Sequence, residues 1–254
     1  MAYIPKTVTT RISSSLKHFQ KILQSARSRD INESDTVVIV GDILSEMFGY
    51  DKYSDVTSEY AIRGTYCDLA IKIDGKLRYL IEVKAIGSDL KENHVRQAVG
   101  YAANEGIDWV MLTNGGTWKI FRVLFTKPIK HEQVVELDLL ELNHRNSSDI
   151  KSLYLLCREA IRKSALPEYH EQVKATNRFL LGAIILSDPL INAIRREVRR
   201  VSPGVKVETE EIKETLKQEV LKREVVFEER ADEARKKVRK AQTRVQKQKK
   251  TQES

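Results

Sequence analysis

Along the first half of the chain the apolar positions switch between a helical and an alternating period. Ile12, Leu16, Phe19 and Leu23 recur three and four residues apart, which predicts an amphipathic helix over about 10–27. The polar stretch from Ser28 to Asn32 interrupts it. A second helix is predicted from about Ser34 to Phe48, with Asn32 as N-cap, Glu33 in or beside the first turn and Gly49 as C-terminal cap. Strand-like runs follow at Thr57 to Ile62, Thr65 to Ile73 and Leu77 to Ala85. A helix over about Leu90 to Asn104 ends at Gly106. Trp109 to Thr113 and Trp118 to Leu124 read as two further strands around the turn Asn114-Gly115-Gly116. This order predicts an α/β fold with a mixed sheet.

After about Asn146 the pattern becomes helical. Helices are predicted over Ile150 to Arg162, Tyr169 to Ile185 and from Asp188-Pro189 to the break at Ser202-Pro203-Gly204. A last long helix starts near Glu208, with Ile212, Leu216, Val220 and Phe227 along a weak coiled-coil seam that Arg223 interrupts. Four segments result: an N-terminal helix (1–30), an α/β domain (31–145), a helical domain (146–228) and a basic tail (229–254), helical or disordered.

Charge changes the picture mainly at the tail. The formal net charge is +8, which favours an anionic partner. From Ala231 to Ser254 nine Lys and Arg stand against Asp232, Glu233 and Glu253, a net of +6. The tail reads as a frayed helix that attracts nucleic acid without specificity. Cys67 and Cys157 are the only cysteines and show no metal-type spacing, so a reducing cytoplasm is expected. No apolar leader, no membrane-length run and no phosphate-binding G-x-x-x-x-G-K-[ST] motif occurs. None of the five histidines has metal spacing, and all read as structural or surface residues.

The chemistry concentrates in YCDLAIKIDGKLRYLIEVKA. Asp68, Glu82 and Lys84 lie inside an apolar hairpin, where unpaired charge is costly. Leu80, Glu82 and Lys84 share one strand face. A two-residue turn at Asp74-Gly75 pairs Asp68 with Ile81 and separates the carboxylates. A three-residue loop Ile73-Asp74-Gly75 pairs Asp68 with Leu80 and leaves Asp68 and Glu82 as diagonal neighbours, roughly 7 Å apart at the backbone. The second is expected, because the two acids then reach one hard cation, Mg²⁺ with Mn²⁺ as a substitute. Such an ion polarises a phosphoryl oxygen and activates water, while Lys84 stabilises charge on the phosphate. The plain alternative is a solvated surface hairpin.

Gln97 and Tyr101 are four apart on the following helix and so share a face. Either can bond a nucleotide or phosphate, and a half-buried aromatic packed on the sheet is the more frequent role for a helical tyrosine such as Tyr101. Glu33 is a candidate third carboxylate, with Glu46 as its competitor. The set Glu33, Asp68, Glu82-Val83-Lys84, Gln97-x-x-x-Tyr101 resembles the PD-(D/E)xK nuclease superfamily. More narrowly, Glu33 to Val123 is similar to the N-terminal nuclease domain of the restriction subunit of type I restriction-modification enzymes. The resemblance implies a restriction-endonuclease-like core and Mg²⁺-dependent cleavage of DNA in restriction or phage defence. Asp68 and Glu82 would be metal ligands, Lys84 the catalytic lysine, and Gln97 and Tyr101 an accessory motif. Cys67 stands where the superfamily's name has proline. The helicase motor is absent, so the resemblance is to a free-standing relative.

Arg195, Arg196, Arg199 and Arg200 are expected opposite Ile191, Ile194 and Val198, with Arg195 and Arg199 as candidates to straddle a phosphate backbone. An ordinary solvated helix face is the alternative. Three readings stand together: an endonuclease, a non-catalytic nucleic-acid-binding or assembly module, and a subunit active only with a motor or specificity partner. Self-association through the last helix is a further expected partnership.

Overall fold

Helix α1 (Lys6–Ser28) buries Val8, Ile12, Leu16, Phe19, Leu23 and Ala26, the predicted stripe begun one turn earlier. The computed structural model describes residues 3–62 and 64–252, with side chains through 245. Helix α2 (Glu33–Asp42) is capped by Asn32, whose side chain accepts from the Asp35 N–H at 2.8 Å, so Glu33 is its first residue. A π-helical turn, Ile43–Met47, follows and closes at Gly49.

Six strands form one sheet: β1 (Val56–Ile62), β2 (Thr65–Ile73), β3 (Lys76–Val83), β4 (Trp109–Thr113), β5 (Thr117–Leu124) and β6 (Lys130–Asp138). They lie in chain order, and only β3 and β4 run parallel. A parallel pair needs a long crossover, supplied here by α3 (Glu92–Glu105). Val95, Ala98, Val99 and Ala102 of α3 pack on Ala70, Leu80, Val110 and Phe121 of the sheet. Strand β6 was not predicted. It opens on Lys-His-Glu-Gln, and only Val135 and Leu137 are buried, as suits an edge strand with one covered face.

The β2–β3 hairpin corrects the expected turn. Ile73 pairs with Lys76, so the loop has two residues, with Asp74 and Gly75 both at positive φ, 52° and 75°. The register then shifts. Lys72 pairs with Leu77, but Ile71 pairs with Tyr79, leaving Arg78 as an unpaired bulge. Leu69 pairs with Ile81, and one further step sets Asp68 opposite Glu82. The two acids therefore share a face, through a bulge and not through a longer loop.

Helices α4 (Ser147–Tyr154), α5 (Arg158–Arg162) and α6 (Ala165–Ala175) replace the predicted helix over 150–162 and its break before Pro167. Pro167 sits in the first turn of α6, where a missing N–H is tolerated. Two compact units divide at Glu168/Tyr169, not at the expected 145/146 boundary, and the first unit includes α1.

Within the first unit, the Arg11 guanidinium holds Glu159 through two contacts at 2.9 and 2.8 Å and donates to the Met47 and Phe48 carbonyls. It lies 2.6 Å from where a Cβ on Gly49 would be, so only glycine fits that turn. Burial raises the Glu159 carboxyl, but the Arg11 contacts outweigh it and hold the pKa below the usual glutamate value. Glu159→Gln should cost about 1–2 kcal/mol at neutral pH, allowing for partial solvent screening. A depressed folded pKa contributes fully above the unfolded value and is lost as pH falls through the folded one. Urea midpoints should therefore differ at pH 7 and converge in acid; equal midpoints at pH 7 would contradict the role.

The second unit contains α7 (Arg178–Ile185), α8 (Asp188–Val201), α9 (Thr209–Thr215), α10 (Arg223–Phe227) and α11 (Glu229–Gln252). Asn177 caps α7 and divides the predicted 169–185 helix. Helix α8 begins at the predicted Asp188, with Ser187 as its N-cap. The long last helix and its seam are corrected too. After α9 comes a π-helical turn, Leu216–Val220, and then Leu221 turns extended at ψ 139°. Val220 and Phe227 are 63% and 65% exposed, and Ile212 is buried, so no continuous seam forms. Instead Phe179 and Ala183 of α7 pack on Ala231 and Ala234 of α11. Gly182 lets Val225 approach: a Cβ there would collide with its Cγ1. The final lysines of the basic tail, Lys247, Lys249 and Lys250, lie outside the described side chains.

Candidate functional site

Strand β3 carries Glu82 into the sheet centre, only 2% exposed. Just past it, the Lys84 N–H donates to the Thr113 carbonyl at 2.8 Å, which prolongs the parallel pairing and fixes the lysine backbone. The Lys84 ammonium, with its side chain 14% exposed, stands 2.8 Å from Glu82 Oε1 and 3.5 Å from both Glu33 oxygens. Glu33 reaches it because Asn32 starts α2 there, and the Thr36 hydroxyl of the same helix accepts from the Ile86 N–H. Asp68 accepts from the Val83 N–H at 2.7 Å. The β1–β2 ladder skips the Glu59–Asp68 position, and Glu59 has a φ of 47°. Non-glycine backbone of that kind persists only when its surroundings enforce it.

Four of the predicted residues, Glu33, Asp68, Glu82 and Lys84, are thus brought together. Burial raises the pKa of both Asp68 and Glu82. Hydrogen bonds from Val83 to Asp68 and from Lys84 to Glu82 oppose it, and the negative charge of Asp68 adds to the rise at Glu82. Burial lowers Lys84, yet Glu82, Glu33 and Asp68 together hold it above the usual lysine value. Glu82 Oε2 is buried with no hydrogen-bond partner. An orphaned anionic oxygen beside a second carboxylate suits a cation.

Among the described residues no three acidic, histidine or cysteine groups form a ready cage for a metal. Mg²⁺ does not require one, since it keeps several waters and uses one or two carboxylates with substrate phosphate. Asp68 and Glu82 are such a pair, and Glu33 is engaged by Lys84.

Gln97 and Tyr101 bond to each other, Nε2 donating to the tyrosine hydroxyl at 3.0 Å. Tyr101 also packs on the core beneath α3, so it has the structural role weighed for it as well. His94, read from the sequence as structural or surface, lies on the same helix face. Its pKa is lowered by burial and then by Lys84 and Lys91, with Glu33 opposing, which places it within electrostatic reach of the cluster. Its Nδ1 accepts from the Lys91 N–H at 3.4 Å, so the neutral ring carries its proton on Nε2. The spacing His94-x-x-Gln97-x-x-x-Tyr101 was the available signal. Cys67 abuts the acids, and burial pushes its thiol up to about 12.

Arg195 does not lie on the outer face of α8. It is half-buried, 3.7 Å from Glu208, with its Nε enclosed and unpartnered. Its place four residues after the buried Ile191 puts it on the inner side of the helix. Arg196, Arg199 and Arg200 are exposed.

Fold and site together define an α/β protein with a buried carboxylate–lysine cluster at the centre of a mixed sheet. No protein-family model, curated protein or solved structure matches the chain. No helix among the described residues is long and apolar enough to cross a membrane.

Proposed function

We propose that this protein is a Mg²⁺-dependent endonuclease that hydrolyses DNA phosphodiester bonds, serving restriction or phage defence in the cytoplasm. The observation that carries the reading is Glu82: a nearly fully buried carboxylate with one oxygen unpartnered, set across from Asp68 and bonded to Lys84. Buried acids of like charge destabilise a fold unless a cation or a reaction needs them. The resemblance to PD-(D/E)xK nucleases supports the same assignment.

Asp68 and Glu82 would hold Mg²⁺, which when bound polarises the phosphoryl oxygen and supplies activated water. Lys84 would neutralise charge that develops on the phosphate, and its contact with Glu33 would hold the ammonium were Glu82 engaged by the ion. Gln97, Tyr101 and His94 line the neighbouring helix face as donors for phosphate or base. Arg199, exposed on α8, remains a candidate phosphate contact; Arg195, half-buried beside Glu208, does not.

Supercoiled and linear DNA incubated with the purified protein should be cut in Mg²⁺ or Mn²⁺ and left intact in chelator. Binding without cleavage under every divalent ion would favour a non-catalytic module. Cleavage only after addition of a motor or specificity protein would mark a partner-dependent subunit. Single-stranded RNA in the same assay defines the substrate class.

A further inference from the structure

From Tyr169 onward the chain carries 21 Lys and Arg against 14 Asp and Glu, so +7 of the net +8 belongs to the second unit. Part of that charge converges on a cleft of about 390 Å³ within this unit. Lys213, Lys217, Arg235 and Arg239 line it, against a single lining carboxylate, Asp188. Phe227 is at its wall and is 65% exposed, so its ring is open to a ligand. Leu186 and Val238 add apolar wall.

Three of the four cations make ion pairs: Lys213 with Asp188 at 3.0 Å, Lys217 with Glu214 at 2.7 Å and Arg235 with Asp232 at 2.6 Å. The acid of each pair is exposed, which weakens the hold on its cation. Arg235 is also steadied by donating to the Val226 carbonyl, which keeps its guanidinium at the cleft. Cations tracking a backbone beside an aromatic face are the two parts of a single-strand site.

We propose that this cleft binds a single-stranded nucleic acid segment, with a base stacked on Phe227 and phosphates held by Lys217 and Arg239. The ligand class follows from the nuclease reading, and the site would keep an unpaired strand on the second unit.

The test uses the full chain in chelator, so that binding is read without cleavage and the fate of the nuclease reading does not enter. Anisotropy of a labelled oligo-dT is measured for wild type, Phe227→Ala and the double variant Lys217→Gln/Arg239→Gln, with heparin as a polyanion that has no bases. Phe227→Ala should weaken oligo-dT binding roughly fivefold or more and leave heparin binding unchanged. The double variant should weaken both and reduce the oligo-dT salt slope by about 1.4. Phe227 is exposed, so unchanged melting should accompany its loss of affinity. Oligo-dT binding equal to wild type in both variants overturns the proposal. An equal loss of oligo-dT and heparin binding in Phe227→Ala overturns it too, because the cleft would then read charge alone.

Discussion

Glu82→Gln should abolish Mg²⁺-dependent cleavage and, in the same preparation, raise the melting temperature of the metal-free protein. The rate should fall by at least roughly 10²–10³-fold, the usual loss when a charge-stabilising group is removed from a reaction centre. Stability should rise because the glutamine keeps an acceptor for Lys84 while removing a buried charge next to Asp68. Lys84→Met should also abolish cleavage but act oppositely on stability, lowering it by up to about 3 kcal/mol by leaving Glu82 buried without its partner. Asp68→Asn should inactivate with a small stability change. Two readouts are required, cleavage of plasmid and a thermal melt in chelator. A Glu82→Gln enzyme that cuts normally refutes the site. One that is inactive but less stable than wild type would make Glu82 and Lys84 a structural ion pair.

Deletion of the chain from Ala231 should collapse the second unit, whereas deletion from residue 246 should leave it folded. Ala231 and Ala234 are buried against Phe179 and Ala183, with Val238 packed beside them, so the first turns of α11 are core. Losing them exposes α7, an apolar helix that otherwise packs on α10 and α8. Limited proteolysis and circular dichroism should show resistance and full helicity only in the shorter deletion. The shorter deletion removes Lys247, Lys249 and Lys250. If these meet phosphate, log affinity against log salt should flatten by up to about three units. An unchanged slope would confine DNA contact to the folded part. A second unit that stays protected without Ala231 onward would contradict the packing argument.

Most of the first unit was legible in the chain because its signals are local. Asp68, Glu82 and Lys84 stood out as charges inside apolar strands, and Asn32 placed Glu33 at a helix start through simple capping chemistry. Details set by tertiary context were not legible. Arg78 looks like any exposed strand residue, and nothing in its type announces a bulge. His94 gains its meaning only when Lys84 is folded beneath α3. The false long helix has the same origin: apolar spacing continues through Leu221 without proline or glycine. The chain bends there so that Val225 can settle on Gly182. Arg195 sits within an arginine-rich run that reads as uniformly outward, though its position after Ile191 turns it in.

The bulge at Arg78 also sets how chain length can vary around the acids. Without Arg78 the hairpin would be regular, with Ile71 still beside Tyr79 and Asp68 still across from Glu82. The hairpin thus holds one spare residue at a fixed place. Shortening there by one is silent for the site. Shortening within Tyr79 to Ile81 would draw Arg78 into the paired register and push its guanidinium toward the position of the buried Tyr79. Lengthening by one would need a second bulge or a three-residue loop to keep both carboxylates on one face. The tip of this hairpin is held to residues that accept positive φ, as Asp74 and Gly75 do, while one residue can be lost beside it without moving the acids.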